Sequence, residues 1–199
     1  MIAIIDYKMG NLGSVKNALD SLNIESVITN DVNVIKKADK LILPGVGAFR
    51  EAMDNLKELN LIDTIKEEVK NGKPILGICL GMQLMFSSSE EYGLTKGLNI
   101  LEGKIVHFKE NGLKIPHMGW NNLDIPACSK LFNGLKNPYV YFVHSYHLVT
   151  DNKDYLLTKT TYGYEFSCAV EYKNIFATQF HPEKSGDVGL QILKNFGDL

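Results

Sequence analysis

Cys79 is the residue of this chain best placed for covalent chemistry. It stands in Ile75-Leu76-Gly77-Ile78-Cys79-Leu80-Gly81-Met82-Gln83, where a buried-strand pattern runs straight into a helical one. A G-x-C-x-G turn of this kind aims its central side chain outward at the carboxyl edge of a sheet, as a nucleophile elbow does. The flanking glycines admit the close approach of strand and helix. A thiol at a helix start also feels the positive end of the dipole, which favours the reactive thiolate. A cysteine met alone is more often a buried structural residue, the reading that fits Cys128 and Cys168. The matching base is His181 in Thr178-Gln179-Phe180-His181-Pro182-Glu183-Lys184-Ser185. In extended chain, residues two apart share a face, so Glu183 reaches the imidazole, and Pro182 keeps His181 extended. A carboxylate orienting a histidine that serves a cysteine is the triad logic of acyl transfer. A third element, Leu43-Pro44-Gly45-Val46-Gly47-Ala48-Phe49, can turn backbone N–H groups toward an oxyanion. It is equally a phosphate cradle or a tight turn, although it matches neither GxGxxG nor a Walker loop.

These residues need a scaffold, and the first half of the chain supplies an alternation. Ile2–Ile5, Glu25–Thr29, Leu41–Leu43 (cut off by Pro44-Gly45) and Pro74–Ile78 read as buried strands. Between them lie helical patterns: Val15, Ala18, Leu19 and Leu22 on one face, Asp31–Ala38 capped by Asp31, Ala48–Lys57 and Leu61–Lys70. Such alternation predicts a mostly parallel central sheet flanked by helices. In the second half Ile105–Phe108, Tyr139–Val149, Leu156–Thr161, Cys168–Tyr172 and Ile175–Gln179 crowd together as strands, which predicts an antiparallel extension. Val188–Phe196 closes the chain as a helix. With 199 residues, 45% hydrophobic, and no repeat or linker, residues 1–199 are expected to form a single domain.

Composition removes several function classes. The net charge is −2, Arg50 is the only arginine, and no basic run exceeds Lys36-Lys37, so a nucleic-acid footprint is missing. No apolar run approaches the ~18–20 residues of a membrane span, and Met1–Asp6 reads as a strand, not a signal peptide. Three widely spaced cysteines form neither a zinc pattern nor a disulfide framework, so a reducing, cytoplasmic setting is expected.

PGVGAF, GICLGMQ, PHMGWN, YFVHSYH and TQFHPEKS, in this order and spacing, resemble the class I (triad) glutamine amidotransferases. Within that class they are most similar to the glutaminase subunits of imidazole glycerol phosphate synthases. The resemblance covers almost the whole chain and implies a flavodoxin-like α/β fold. It also implies Cys79 as nucleophile, His181 as general base and acid, and Glu183 as the orienting carboxylate. The N–H groups of Leu80 and, after a peptide flip, Val46 would form the oxyanion hole. Gly47, Gln83, Glu91, Ser145 and Tyr146 match positions that contact the substrate glutamine. No metal or organic cofactor is implied. Ammonia would pass to a separate (β/α)₈-barrel cyclase subunit in a heterodimer serving histidine biosynthesis.

Lys8, Trp120, Asn121, Tyr141 and Lys184 are the candidate partner interface, Trp120 and Asn121 because the family places their loop against the synthase. Lys8 departs from the family's Asp-Tyr-Gly-x-Gly-Asn pattern, where it replaces a glycine. His144 reads as a core histidine with a satisfied hydrogen bond. Two other readings stay open on sequence: a glutaminase feeding another synthetase, such as one aminating a surface sugar, and an inactive regulatory module on the same scaffold.

Overall fold

The computed structural model describes residues 1–110 and 112–199. The chain begins β1 (Ile2–Ile5), α1 (Leu12–Ser21), β2 (Ser26–Thr29), α2 (Val32–Lys37) and β3 (Lys40–Gly45). It continues through α3 (Phe49–Glu58), α4 (Leu61–Lys70), β4 (Ile75–Cys79) and a short α5 (Leu80–Leu84). Asn11 and Asp31 cap α1 and α2 by accepting from Ser14 N–H and Asn33 N–H. Two-residue strands β5 (Ser88–Ser89) and β6 (Thr95–Lys96) precede β7 (Lys104–His107), β8 (His117–Asn122), β9 (Tyr139–His144) and β10 (Tyr146–Val149). The long hairpin β11 (Leu156–Tyr162) and β12 (Tyr164–Tyr172) then leads to β13 (Ile175–Thr178) and the last helix α6 (Gly186–Asp198).

Among the described residues the main sheet has eleven strands, in the order β2-β1-β3-β4-β13-β12-β10-β7-β5-β6, with β11 paired to β12. The first five are mutually parallel, the doubly wound order in which the sequence of strands reverses beside β1. From β12 to β7 the pairing is antiparallel. Alternation within the parallel strands sorts the core into two layers. Ile2, Ile4, Ile42, Leu76 and Ile78 pack with Val15 and Leu19 of α1 and with Ile192, Leu193 and Phe196 of α6. Ala3, Ile5, Leu41, Leu43 and Ile75 pack on the other face with Ile35, Leu56 and Ile65 of α2 to α4. No helix of the described residues is long and apolar enough to cross a membrane.

Four local expectations are corrected. β3 does not stop at Leu43 but runs through Pro44 and Gly45, which pair with Ile78 and Cys79. β1 accompanies β3 only to Ile42, so the N–H that Pro44 lacks forfeits no bond to β1. Tyr139–Val149 is two strands broken at Ser145, with β9 paired to β8 in a separate sheet and β10 in the main one. Tyr146 and Leu148 therefore do not extend the face of Val140, Phe142 and His144. His117–Asn122 is a strand, not a loop. Finally, Glu183 sits in a 3₁₀ turn, Pro182–Lys184, rather than in extended chain.

Candidate active site

The reactive-looking side chains meet at the carboxyl edge of the parallel strands, between β3, β4 and β13. Cys79 holds φ 54° and ψ −110°, a conformation that costs a non-glycine residue about 1–3 kcal/mol and persists only when its surroundings enforce it. Here they do. A Cβ on Gly81 would meet the Leu43 carbonyl oxygen at 1.7 Å, so the turn closes against β3 only with glycine. α5 has five residues, too few for much dipole, and what it offers is the first-turn N–H of Leu80.

β13 runs beside β4 and delivers Gln179 and His181 to the same edge. His181 is buried, extended at φ −101°, and shares a hydrogen bond of 2.8 Å through Nδ1 with Glu183 Oε1. The 3₁₀ turn bends Glu183 back beneath the ring. His181 Nε2 is buried with no hydrogen-bond partner among the described residues. Burial alone pushes this imidazole down, but Cys79 and Glu183 together outweigh it and carry it up to about 10. The pairing with Cys79 and Glu183 thus favours the protonated ring beside the sulfur. Backbone bonds tie the turn to β9: His181 N–H donates to Tyr141 O at 3.1 Å, and Tyr141 N–H to Ser185 Oγ at 3.0 Å.

A cavity of about 210 Å³ opens over these groups, lined by Val46, Gly47, Cys79, Leu80, Gln83, Glu91, Val143, His144, Tyr146 and His181. Most of the residues expected to hold a substrate lie on its wall, but Ser145 does not. It is the half-buried break between β9 and β10, its carbonyl accepting from Phe108 N–H at 3.0 Å. Glu91 is engaged already, its Oε2 accepting from Phe49 N–H at 2.6 Å at the start of α3. Gln83 Nε2 donates to Gln179 Oε1 at 3.0 Å, and Gln179 Nε2 lies 3.8 Å from Cys79 Sγ. Sequence reasoning did not single out Gln179. Its position two residues before His181, at the end of the expected strand Ile175–Gln179, was the available signal.

Val46 is 41% exposed at the mouth, between a carbonyl pinned by the buried Tyr7 hydroxyl (Pro44 O, 2.6 Å) and the Phe49 N–H held by Glu91. Gly47 takes φ +100°, which a side chain rarely adopts. His144 has the hydrogen bond expected of it, Nδ1 to Tyr146 O at 2.7 Å, and also reaches the cavity wall. Cys168 is buried with its Sγ 3.4 Å from Thr158 O, its thiol pushed up by burial, while Cys128 is exposed. Among the described residues no His, Cys, Asp and Glu cluster could hold a metal.

The surface candidates divide. Trp120 and Tyr141 are cross-strand partners on β8 and β9 with ring centroids 6.2 Å apart, and Trp120 is 57% exposed. Met118 and Tyr139 add exposed apolar area on the same strands. Exposed Lys184 follows the triad turn. Asn121 points inward, donating to Thr161 O at 2.8 Å. Lys8 takes φ 67°, so this position keeps the left-handed backbone that suits glycine, and its ammonium pairs with Glu58 at 3.1 Å.

Two buried rings behind the cavity give a measurable pH signature. Burial pushes the His117 imidazole down to about 4 and that of His144 to about 3, against an ordinary 6.5. Between those values and 6.5 the unfolded chain binds protons that the folded chain refuses. Their contribution is therefore complete above pH 6.5 and declines as the pH falls toward about 4. Urea midpoints should drop progressively over that interval, more for the natural chain than for His117→Phe. Parallel curves for the two proteins would contradict the depressed midpoint of His117.

The glutamine amidotransferase class-I family profile matches residues 3–198. Imidazole glycerol phosphate synthase subunit HisH of Sulfurimonas denitrificans is 53% identical over 98% of this chain and 97% of its own length. The subunit of the same description from Aquifex aeolicus is 50% identical over 97% of this chain and 94% of its own. Among solved structures, a glutamine amidotransferase superposes with TM-score 0.78 at 19% identity, covering 99% of this chain and 100% of that one. PurLQS from Thermotoga maritima superposes with TM-score 0.72 at 18% identity, covering 98% and 96%. At those identities the structural likeness speaks for the fold.

Proposed function

Because the chain belongs to the class I glutamine amidotransferase family, we propose that its glutaminase reaction is carried by Cys79, His181 and Glu183. Its activity is that of the glutaminase subunit of an imidazole glycerol phosphate synthase, releasing ammonia from glutamine for histidine biosynthesis. All 199 residues are read as one glutamine amidotransferase domain working in the cytoplasm.

The Cys79 sulfur attacks the side-chain amide carbon of glutamine, and the carbonyl oxygen becomes an oxyanion facing Leu80 N–H and, in the active orientation, Val46 N–H. The protonated His181 gives its Nε2 proton to the departing nitrogen, which leaves as ammonia, and a γ-glutamyl thioester remains. Water that loses a proton to the same nitrogen attacks the thioester, releasing glutamate and returning the thiolate beside the protonated ring. Glu183 fixes the ring by its bond to Nδ1 and balances the charge of the imidazolium. The observation that carries this reading is the pairing of a strained Cys79 elbow with a buried His181–Glu183 pair whose Nε2 is uncommitted.

Ammonia is protonated in water and then no longer attacks, so the product must pass directly to a synthase on a separate chain. We read that partner as a (β/α)₈-barrel cyclase docking on the apolar face of Met118, Trp120, Tyr139 and Tyr141, with Lys184 at its edge. The Tyr141 carbonyl, accepting from His181 N–H, and the Tyr141 N–H, donating to the Ser185 hydroxyl, carry that contact to the triad turn. Val46 supplies a gate: its peptide lies between two pinned points and can turn without moving β3 or α3. A missing oxyanion donor typically costs ~10²–10³ in rate.

Glutamine hydrolysis should accordingly be slow for the chain alone and rise roughly 10²-fold when the partner holds its own ligand. Rates for the chain, the complex and the liganded complex check this. Equal rates in all three would remove the gate, and no hydrolysis in any would remove the glutaminase reading itself.

A further inference from the structure

His117 and His144 sit in a buried aromatic cluster that also holds His147, and the reaction sequence above uses neither. His117 is stacked between Phe142 and Tyr162, at centroid distances of 4.6 and 4.1 Å. Phe108 and Phe166 lie within 6.3 Å of both rings. A pair of phenylalanines would fill the same space without the cost of burying ring nitrogens.

The hydrogen bonds give both rings one consistent protonation. His144 Nδ1 lies 2.7 Å from Tyr146 O, a group that only accepts, so Nδ1 carries the proton. Its Nε2 must then accept, and the donor 3.0 Å away is His117 Nδ1. His117 Nε2 in turn accepts from Asn121 Nδ2 at 3.4 Å. The Asn121 amide is oriented by two further bonds, Nδ2 to Thr161 O at 2.8 Å and Asn122 N–H to Oδ1 at 2.9 Å. An added proton on either ring would set N–H against N–H. Beyond the imidazoles the chain continues inward: Gln83 Nε2 donates to Tyr146 O at 3.4 Å and to Gln179 Oε1 at 3.0 Å. Gln179 Nε2 then faces Cys79 Sγ at 3.8 Å.

We infer that His117 and His144 are positioning residues for the glutaminase reaction: a neutral imidazole pair that fixes the Tyr146 carbonyl and, through Gln83 and Gln179, the direction of the Cys79 sulfur. This rests on Cys79 being the nucleophile. The two rings touch neither the sulfur nor the His181–Glu183 pair by any hydrogen bond described. His144 also reaches the cavity wall, and the effect of the pair on the sulfur is transmitted through Tyr146 O, Gln83 and Gln179.

Two substitutions separate positioning from packing. His117→Phe keeps the stack between Phe142 and Tyr162 but loses the donor to His144. His117→Asn loses the stack but keeps an N–H donor where Nδ1 stood. Glutamine hydrolysis is measured with the synthase subunit present and its ligand bound, alongside melting temperature. The turnover number should fall about tenfold in His117→Phe, the worth of one hydrogen bond, and stay within about twofold in His117→Asn. Melting temperature should run in the opposite order, with the phenylalanine variant the more stable. If turnover follows melting temperature, or is the same in all three proteins, the pair only packs and the inference is overturned. Absence of hydrolysis by the natural chain would instead overturn the functional reading. Nitrogen-15 shifts of the imidazoles in the chain alone give an independent check. Both rings should be neutral with the proton on Nδ1, and a proton on Nε2 of either ring breaks the sequence of bonds and overturns the inference.

Discussion

Replacing Cys79 by serine is expected to lower glutamine hydrolysis roughly 10⁴-fold or more, the scale seen when a nucleophile that acts as one unit with its base is removed. A hydroxyl in the same place keeps the size and the strained elbow but is far harder to deprotonate than a thiol. The cavity, the oxyanion donors and the neighbouring Gln179 all remain, so glutamine still binds. Synthesis by the complex from added ammonia should continue at its ordinary rate, because that step never meets the sulfur. A glutamine-shaped electrophile should label Cys79 and spare Cys128, although Cys128 is the exposed thiol and Cys79 is only 8% exposed. Labelling concentrated on Cys128, or a serine variant that still turns over glutamine well, would show that the nucleophile lies elsewhere.

Removing the imidazole is the second large effect. His181→Asn should cost about as much as the loss of the sulfur, since one ring both donates to the leaving nitrogen and accepts from water. Glu183→Gln should retain roughly 10–100 times more activity than His181→Asn, because orientation and charge go while the proton carrier stays. The structure adds a sign to this. Glu183 helps hold the His181 imidazole up near 10, so the glutamine variant should lose its proton at lower pH. Its pH–rate profile should turn down earlier on the alkaline side. Should Glu183→Gln show full activity and an unmoved profile, the triad would reduce to a Cys–His pair.

The parallel half of the fold was legible because its strands are short apolar runs cut by helices of clear periodicity, and α2, α3 and α4 fell within a residue or two of their expected bounds. The sharp strand-to-helix turn at Cys79 was legible for the same reason: strand and helix meet at a pair of glycines where a side chain would collide with the neighbouring backbone. What the sequence pattern obscured was local and polar. Tyr139–Val149 reads as one apolar run, and only its pairing shows that Ser145 splits it between two sheets. His117–Asn122 hid as a strand because Gly119 at φ +131° and two asparagines look like a turn. Ser145, matched by resemblance to a glutamine-contacting position, stands at the break between β9 and β10 beside the cavity residues His144 and Tyr146. Gln179 escaped notice because its role depends on β13 lying beside β4, a pairing between distant parts of the chain that periodicity does not reveal.

That pairing has a consequence during synthesis. β13 is the last strand to be made and sits in the middle of the sheet, joining the parallel half to the antiparallel one. A nascent chain that has emerged only as far as Tyr172 therefore carries the thiol on a strand with one open edge and no base beside it. His181, the proposed base, arrives on the segment that closes the sheet. On the proposed triad, truncated or stalled products that lack His181 are expected to be unable to consume glutamine. The proposed base follows three residues after the strand that completes the hydrogen-bonded sheet.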